Sequence, residues 1–284
     1  MHRILSKRTL APGIREYVIE APEVAASAKA GQFIVLRLHE RGERIPLTMV
    51  NCDQETGGVT LVVQEVGKTT REMGDRFEVG DSVLDFAGPL GRPTEVENYG
   101  TVVCVGGGVG IAPLYPIVRA LRKAGNTVVG IVGYRSRDLS FYDEEFREAC
   151  DEFIVMTNDG SLGGKGFVSD PLREVLESGR SVGHVWAIGP AIMMKVCSEL
   201  TREFGVPTTV SLNSVMIDGT GMCGGCRVEV GGVARFACVD GPEFDGHKVD
   251  FDLLMSRQGY YAEEEACSLD RYLAETSNSE KGAT

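Results

Sequence analysis

No apolar run in the 284-residue chain approaches the length, about 18 residues, that a bilayer-crossing helix requires. The opening residues, MHRILSKRTLAPGIREYVIEAP, contain no apolar h-region and do not read as a secretory signal. No Lys/Arg run is longer than two residues, and 29 basic against 41 acidic side chains leave a formal charge of −12. Such a chain makes a poor partner for nucleic acid or an anionic membrane. The four histidines, His2, His39, His184 and His247, form no ligand or catalytic pattern. There is no internal repeat, and no Gly-X-Y period that would signal collagen. These absences predict a cytoplasmic protein with reduced thiols. What is present suits a globular fold: 43% hydrophobic and 25% charged residues, in a length that suggests about two domains. Glycine is in excess at 36 residues, about 13% against a usual level of about 7%. The glycines gather into a few short clusters.

Residues 1–97 read as β structure, because runs such as Glu16–Glu20, Gln32–Leu38 and Val59–Glu65 are broken at short intervals by Gly, Pro and Asp. Many short strands favour a small closed antiparallel barrel. From residue 98 to 210 apolar strands alternate with helical stretches. The strands are Thr101–Val105, Thr127–Val132, Glu152–Met156 and His184–Ile188; the helices are Leu114–Ala124, Asp143–Ala149 and Pro171–Leu176. That alternation predicts βαβ units around a buried parallel sheet. Residues 211–284 form a third, Gly/Cys-rich unit, and its polar end, Ser277–Thr284, is expected to fray.

Three of the eight cysteines crowd into DGTGMCGGCRVEVGGVARFAC at 218–238. Cys223 and Cys226 are spaced C-x2-C, and Cys238 follows after eleven residues. Plant-type 2Fe-2S proteins use C-x4-C-x2-C and a distant fourth cysteine, and here Asp218 occupies the first position. The surrounding glycines let a loop wrap tightly and turn backbone N–H groups toward sulfur. Arg227–Val230 and Val233–Ala237 read as a hairpin turning at Gly231–Gly232, which would return Cys238 to the site. A zinc site of three cysteines and one aspartate uses the same residues, and a redox dithiol would use Cys223 and Cys226 alone. The fourth ligand is Asp218 or, with Asp218 as a turn residue, Cys267.

GGGVGIAP at 106–113 follows a predicted strand and precedes a helix, the setting in which backbone and a helix N-terminus approach a pyrophosphate. A second turn, Gly189–Pro190, follows a later strand. RIPLT at 44–48 is followed by GKTT at 67–70, which is not a P-loop because position 62 is valine.

In this order the three sites resemble the ferredoxin–NADP reductase superfamily, and within it the subgroup with a C-terminal 2Fe-2S domain. TNDGSLGGKGFV at 157–168 is similar to a stretch typical of the subgroup, and the resemblance covers about residues 5–275. It includes the electron-transfer subunits of dihydroorotate dehydrogenase B and the small subunits of electron-bifurcating NADH-dependent ferredoxin–NADP oxidoreductases. The resemblance implies FAD on the barrel, held by Arg44, Pro46, Leu47 and Thr48 with Gly67, Lys68, Thr69 and Thr70 at its pyrophosphate. It implies NAD(H) at Gly106, Gly107, Gly108, Gly110, Gly189 and Pro190, with Asp159 lining the pocket. The cluster ligands would be Asp218, Cys223, Cys226 and Cys238. An aspartate in place of the first cysteine departs from most dihydroorotate-type subunits and points to the bifurcating group. The implied activity is a relay between NAD(H), FAD, a 2Fe-2S cluster and a larger flavoprotein and iron–sulfur partner, without a side chain acting as acid, base or nucleophile. Arg135 and Arg137, after the second strand, would suit a 2′-phosphate, so NADP(H) remains an alternative. A nucleotide-binding scaffold stabilised by zinc is the alternative of another class. Val239–Leu273 is expected to serve as a docking extension for the partner or as a C-terminal helix on its own domain.

Overall fold

The computed structural model describes residues 1–281. Its first sheet is built from β1 (His2–Ala11), β2 (Ile14–Glu20), β3 (Phe33–Arg37), β4 (Arg44–Asp53), β5 (Gly58–Gln64), β6 (Ser82–Val83) and β7 (Asp85–Leu90). Every pairing is antiparallel, in the order β6-β1-β2-β5-β4-β3-β7. The two edge strands are separated in sequence only by Leu84, so the sheet curls into a nearly closed barrel and leaves almost no free edge. Period-two alternation fills the interior with Ile4, Tyr17, Ile19, Ile34, Leu36, Leu61 and Val63. Two short helices, α1 (Pro22–Ser27) and α2 (Lys68–Arg76), cross between strands.

The second sheet contains β8 (Thr101–Gly107), β9 (Thr127–Tyr134), β10 (Glu152–Thr157), β11 (Gly164–Lys165), β12 (Val182–Ile188) and β13 (Thr208–Ser211), all parallel. Val102, Val103, Cys104 and Val105 are fully buried, as expected of a strand covered on both faces. The covering helices are α3 (Ile111–Lys123), α4 (Asp143–Ala149), α5 (Ser169–Glu177) and α6 (Ala191–Glu203). Each predicted strand core lies within an observed strand, whereas α6 and β13 extend the alternation beyond the prediction. Ala191, Met194, Cys197 and Leu200 are the buried stripe of α6 and recur every third residue. Strand order runs from β8 to β9 and β10 on one side and to β12 and β13 on the other, so the topological switch point lies between β8 and β12.

The cysteine-rich segment forms the hairpin β14 (Arg227–Val230) and β15 (Val233–Phe236), followed by α7 (Ala237–Asp240), β16 (Glu243–Asp245), α8 (Phe251–Gln258) and α9 (Ala262–Lys281). β16 adds antiparallel to β13, with Ser211 opposite Glu243. The nucleotide sheet therefore takes its last strand from beyond residue 210, where composition alone places a boundary. The expected frayed end is helical as far as Lys281, and Gly282–Thr284 lie outside the described residues. No described helix is long and apolar enough to cross a membrane.

All three parts meet at Glu243. Its Oε1 accepts a hydrogen bond from Thr94 Oγ1 at 2.6 Å, and the buried Trp186 indole N–H lies beside its carboxyl. Desolvation raises the carboxyl to about 7. Between its ordinary value of 4.5 and about 7 the folded chain therefore binds a proton that the unfolded chain has released, so stability falls as pH rises through that window. Glu243→Gln is expected to remove this slope and raise the melting temperature at pH 8 by about 3 °C, with little change at pH 5. Parallel melting profiles of the two proteins across this range would disprove the assignment.

Candidate flavin, nucleotide and iron–sulfur sites

Strand alternation places Arg44, Pro46 and Thr48 on the outer face of β4, while Ile45 and Leu47 pack against the barrel interior. Of the predicted flavin residues, Leu47 therefore turns away from the cleft. The register sets Pro46 beside Val35 and Arg44 beside Arg37, and β7 adds Ala87 and Asp85 opposite those two. Arg44, Val35, Arg37, Asp85 and Ala87 line an open cleft of about 610 Å³, whose wall also includes Asp218 from the cysteine-rich loop; Pro46 is not part of that lining.

At the start of β4, Glu43 Oε2 accepts a hydrogen bond from Thr69 Oγ1 at 2.7 Å, which brings the N-terminus of α2 beside Arg44. Thr70 Oγ1 accepts from the Gly67 and Val66 N–H groups at 3.0 and 3.2 Å, fixing the turn into the helix. Among the described residues Arg44 and Lys68 form no ion pair. Two uncommitted cations thus flank a helix N-terminus, an arrangement suited to a diphosphate. Glu43 carries no motif of its own; only the fold shows that it positions α2.

At the switch point, Gly106 and Gly107 end β8, Gly108–Gly110 form a single 3-10 turn, and α3 starts at Ile111. Gly189 and Pro190 leave the neighbouring β12. A Cβ on Gly110 would lie 2.6 Å from the Ile188 carbonyl oxygen and 2.7 Å from Gly189 Cα, so the two loops meet backbone to backbone. Gly107 and Gly189 face Met193, and Gly106 faces Ile111 and Leu114. Only Gly108 in this group opens on free space. The 3-10 turn touches β5 and α3 lies along β4, so the crevice faces the barrel.

Asp159 sits at the carboxyl ends of β9 and β10, where its N–H donates to the Arg135 carbonyl at 3.3 Å. Its carboxylate accepts from the Ser161 hydroxyl and N–H at 2.6 and 2.9 Å, which hold it below the usual carboxylate range. Arg137 Nε donates to the Ser161 carbonyl at 2.9 Å. Both side chains are thus spent on shaping this loop, leaving Arg135 as the arginine free for a ligand.

In the cysteine-rich loop, Asp218 accepts from the Thr220 and Cys223 N–H groups, both at 2.9 Å, and is held below its ordinary range chiefly by the Thr220 bond. The hairpin returns Cys238 as expected: its Sγ lies 3.1 Å from Cys226 Sγ, and both are buried. The Gly225 N–H points at Cys223 Sγ (3.4 Å) and the Cys238 N–H at Cys226 Sγ (3.5 Å). Burial, and then the adjacent Cys226 sulfur, push the Cys238 thiol up to about 12. Sulfurs held this close in an apolar setting can give up their protons together only where a cation lies between them. Cys267 stands exposed on α9. Among the described residues no three His, Cys, Asp or Glu side chains gather at one single-ion site. Of the four predicted ligands, Cys226 and Cys238 meet sulfur to sulfur, while the Asp218 carboxylate is met by the Cys223 N–H and thiol. Gly219, at φ +74°, seats this loop against the barrel, where its missing Cβ would come within 2.9 Å of Val35 and Leu90.

Known proteins share this arrangement. Residues 213–250 match the iron–sulfur cluster binding domain of dihydroorotate dehydrogenase B, and residues 104–199 match the oxidoreductase NAD-binding domain. A Thermotoga maritima homologue of the dihydroorotate dehydrogenase B (NAD(+)) electron transfer subunit is 49% identical over 99% of this chain and 98% of its own. The corresponding Geobacillus thermodenitrificans electron transfer subunit is 31% identical over 87% of this chain and 96% of its own. Among solved structures, a chain of the NADH-dependent reduced ferredoxin–NADP oxidoreductase, studied for flavin-based electron bifurcation, superposes with a TM-score of 0.90. It is 49% identical and covers 96% of this chain and 98% of its own. Phthalate dioxygenase reductase, 19% identical with a TM-score of 0.59, shares the fold. With an NAD-binding sheet, an iron–sulfur binding segment and a near-full-length match, the chain belongs to the family of dihydroorotate dehydrogenase B electron-transfer subunits and their homologues, which are NAD-linked iron–sulfur oxidoreductase subunits.

Proposed function

We propose that the chain carries FAD and a 2Fe-2S cluster and relays electrons between NAD(H) and a larger flavoprotein and iron–sulfur partner, in a bifurcating ferredoxin–NADP oxidoreductase. The observation that carries this reading is the shared cleft: Asp218 of the cluster loop lines the same wall as Arg44 and Val35 of the flavin face. The chain is 49% identical both to the bifurcating enzyme's chain and to the Thermotoga maritima dihydroorotate-type homologue, and 30–31% identical to Geobacillus and Bacillus dihydroorotate-type subunits. What favours the bifurcating complex is therefore Asp218, standing where the first cluster cysteine would be. Dihydroorotate dehydrogenase B is the second reading, supported by the match at 213–250.

The residues present suit both groups. Cys226 beside Cys238 and Asp218 beside Cys223, with no three of the described ligands around one point, fit a binuclear cluster, which takes two per iron, better than a tetrahedral zinc ion. For FAD, Arg44, Lys68 and the N-terminal N–H groups of α2 would hold the diphosphate, and Val35 and Ala87, with Pro46 next to Val35 in the register, would present an apolar face to the ring. When bound, the flavin supplies hydride acceptance and single-electron release, and the cluster supplies one-electron transfer. The chain's part is positional. Gly110 lets the two loops of the nucleotide crevice meet backbone to backbone at Gly189, and Gly219 seats the cluster loop on the barrel against Val35 and Leu90.

The test is the visible spectrum of anaerobically purified protein before and after NADH. Flavin bands with a broad iron–sulfur shoulder, both bleached by NADH, are expected. A protein left colourless after reconstitution with iron and FAD, or one whose metal analysis gives zinc, would overturn the reading. Co-purification with an FMN barrel enzyme would select dihydroorotate dehydrogenase B instead.

A further inference from the structure

The C-terminal helix does not fold back on the segment that precedes it. Of the side chains of α9 up to residue 277, only Ser268, Leu269, Tyr272 and Thr276 are drawn out of solvent, and only Tyr272 is buried, at 4% exposure. Its contacts lie on α2, the helix whose N-terminus forms the diphosphate cradle. Arg76 lies over the Tyr272 ring at 5.1 Å, and the phenol donates to Asp75 Oδ2 at 3.3 Å. Asp75 also accepts from Arg71 Nε at 3.2 Å, and Arg71 reaches Glu65 at 3.5 Å, two residues before Gly67. At the other end of the strap, Arg257 of α8 donates to the Gly225 carbonyl at 3.3 Å, within the C-x2-C loop. The path from cluster loop through α8, α9 and α2 to the cradle is therefore continuous and made within one chain.

We propose that α9 is a strap that couples FAD retention to the seating of the cluster segment, with Tyr272 as its positioning residue. This rests on the assignment of FAD to the α2 cradle. The barrel side of α2 is secured independently, because Lys7 Nζ donates to the Gly74 and Phe77 carbonyls at 2.8 and 2.9 Å and the Tyr17 hydroxyl donates to the Met73 carbonyl. Loss of Tyr272 thus frees the outer face of α2 without unfolding it. Coupling of this kind is reciprocal: if α9 favours the FAD-bound cradle, bound FAD favours the docked helix by the same factor.

The experiment uses the full-length, cluster-loaded chain. FAD release is followed by the recovery of flavin fluorescence, and hydrogen exchange across α9 is compared in the flavin-loaded and deflavinated proteins. Tyr272→Ala is expected to release FAD about tenfold faster, the sum of one aromatic–cation contact and one hydrogen bond. Tyr272→Phe, which keeps the ring under Arg76, should stay within about twofold of wild type. In wild type, exchange protection of α9 should fall when FAD is removed; in Tyr272→Ala it should be low in both states. A helix with a purely structural role would show protection independent of FAD. Unchanged FAD release in Tyr272→Ala, or protection of α9 indifferent to FAD, overturns the strap while leaving the flavin assignment intact. A wild-type chain that binds no FAD overturns both.

Discussion

Cys226→Ser is expected to lower bound iron at least tenfold while leaving flavin in place, so the purified variant should lose the broad iron–sulfur shoulder and keep the flavin bands. Cys226 is buried with its sulfur 3.1 Å from Cys238, and a serine hydroxyl there neither ionises at neutral pH nor offers a soft donor. The fold itself should survive, since the Cys226 carbonyl still accepts the Ala237 N–H at 3.1 Å and the hairpin register is set by backbone bonds from Arg227 to Phe236. The flavin cradle draws on Arg44 and α2, more than a hundred residues away in sequence, and meets the cluster segment at the wall by Asp218 and through the α8–α9 strap, whose Arg257–Gly225 bond the substitution leaves in place. NADH should therefore still bleach the flavin bands, while electron delivery to a one-electron acceptor through the cluster falls by about 10²-fold. Cys267→Ser is the contrasting variant: the residue stands exposed on α9, and its replacement should leave iron content unchanged. Retention of the cluster in Cys226→Ser, or its loss in Cys267→Ser, would show the ligand set to be wrong.

What could be read from residues alone was local. The parallel strands are legible because burial on both faces demands continuous apolar runs, as in Thr101–Val105. The cysteine hairpin is legible because Gly231–Gly232 punctuates two short alternating runs. Contacts between distant segments were not legible. Asp218 and Val35 share a cleft only because the loop around Gly219 packs on the barrel, and no periodicity connects positions so far apart. β16 is three residues long with charged ends, and it counts as a strand only because β13 presents an edge to it. Lys68–Arg76 was hidden by the phosphate-loop look of its first residues, although Thr70 bonding back to Gly67 is a capping signal. Tyr272 lies in a polar helix whose pattern names no partner, and α2 supplies one from nearly two hundred residues earlier.

The glycine loops show why position matters more than composition, and Gly110→Ala is expected to cut kcat/KM for NADH-driven flavin reduction by about 10²-fold. The backbone of Gly110, at φ −62° and ψ −12°, is open to any residue, so the substitution carries no conformational strain. The obstacle is the methyl group, which would sit 2.6 Å from the Ile188 oxygen and 2.7 Å from Gly189 Cα, where ordinary contact begins at 3.4 Å. Both obstructing atoms are backbone, anchored by the neighbouring strands β8 and β12, and cannot rotate aside. The loops must separate by most of an ångström at the crevice where the nicotinamide is to meet the barrel, and a shift of about that size is enough to spoil hydride geometry. Gly108→Ala provides the comparison. Its φ of +55° would cost alanine about 1 kcal/mol, yet nothing lies within 4 Å of the added methyl, so stability should fall slightly while NADH-driven reduction stays within a few-fold of wild type. Dithionite should bleach the flavin and the cluster fully in both variants, since neither touches the barrel cleft or the cysteine loop. Equal NADH kinetics in Gly110→Ala and wild type would show that the crevice between β8 and β12 is not where the coenzyme reacts.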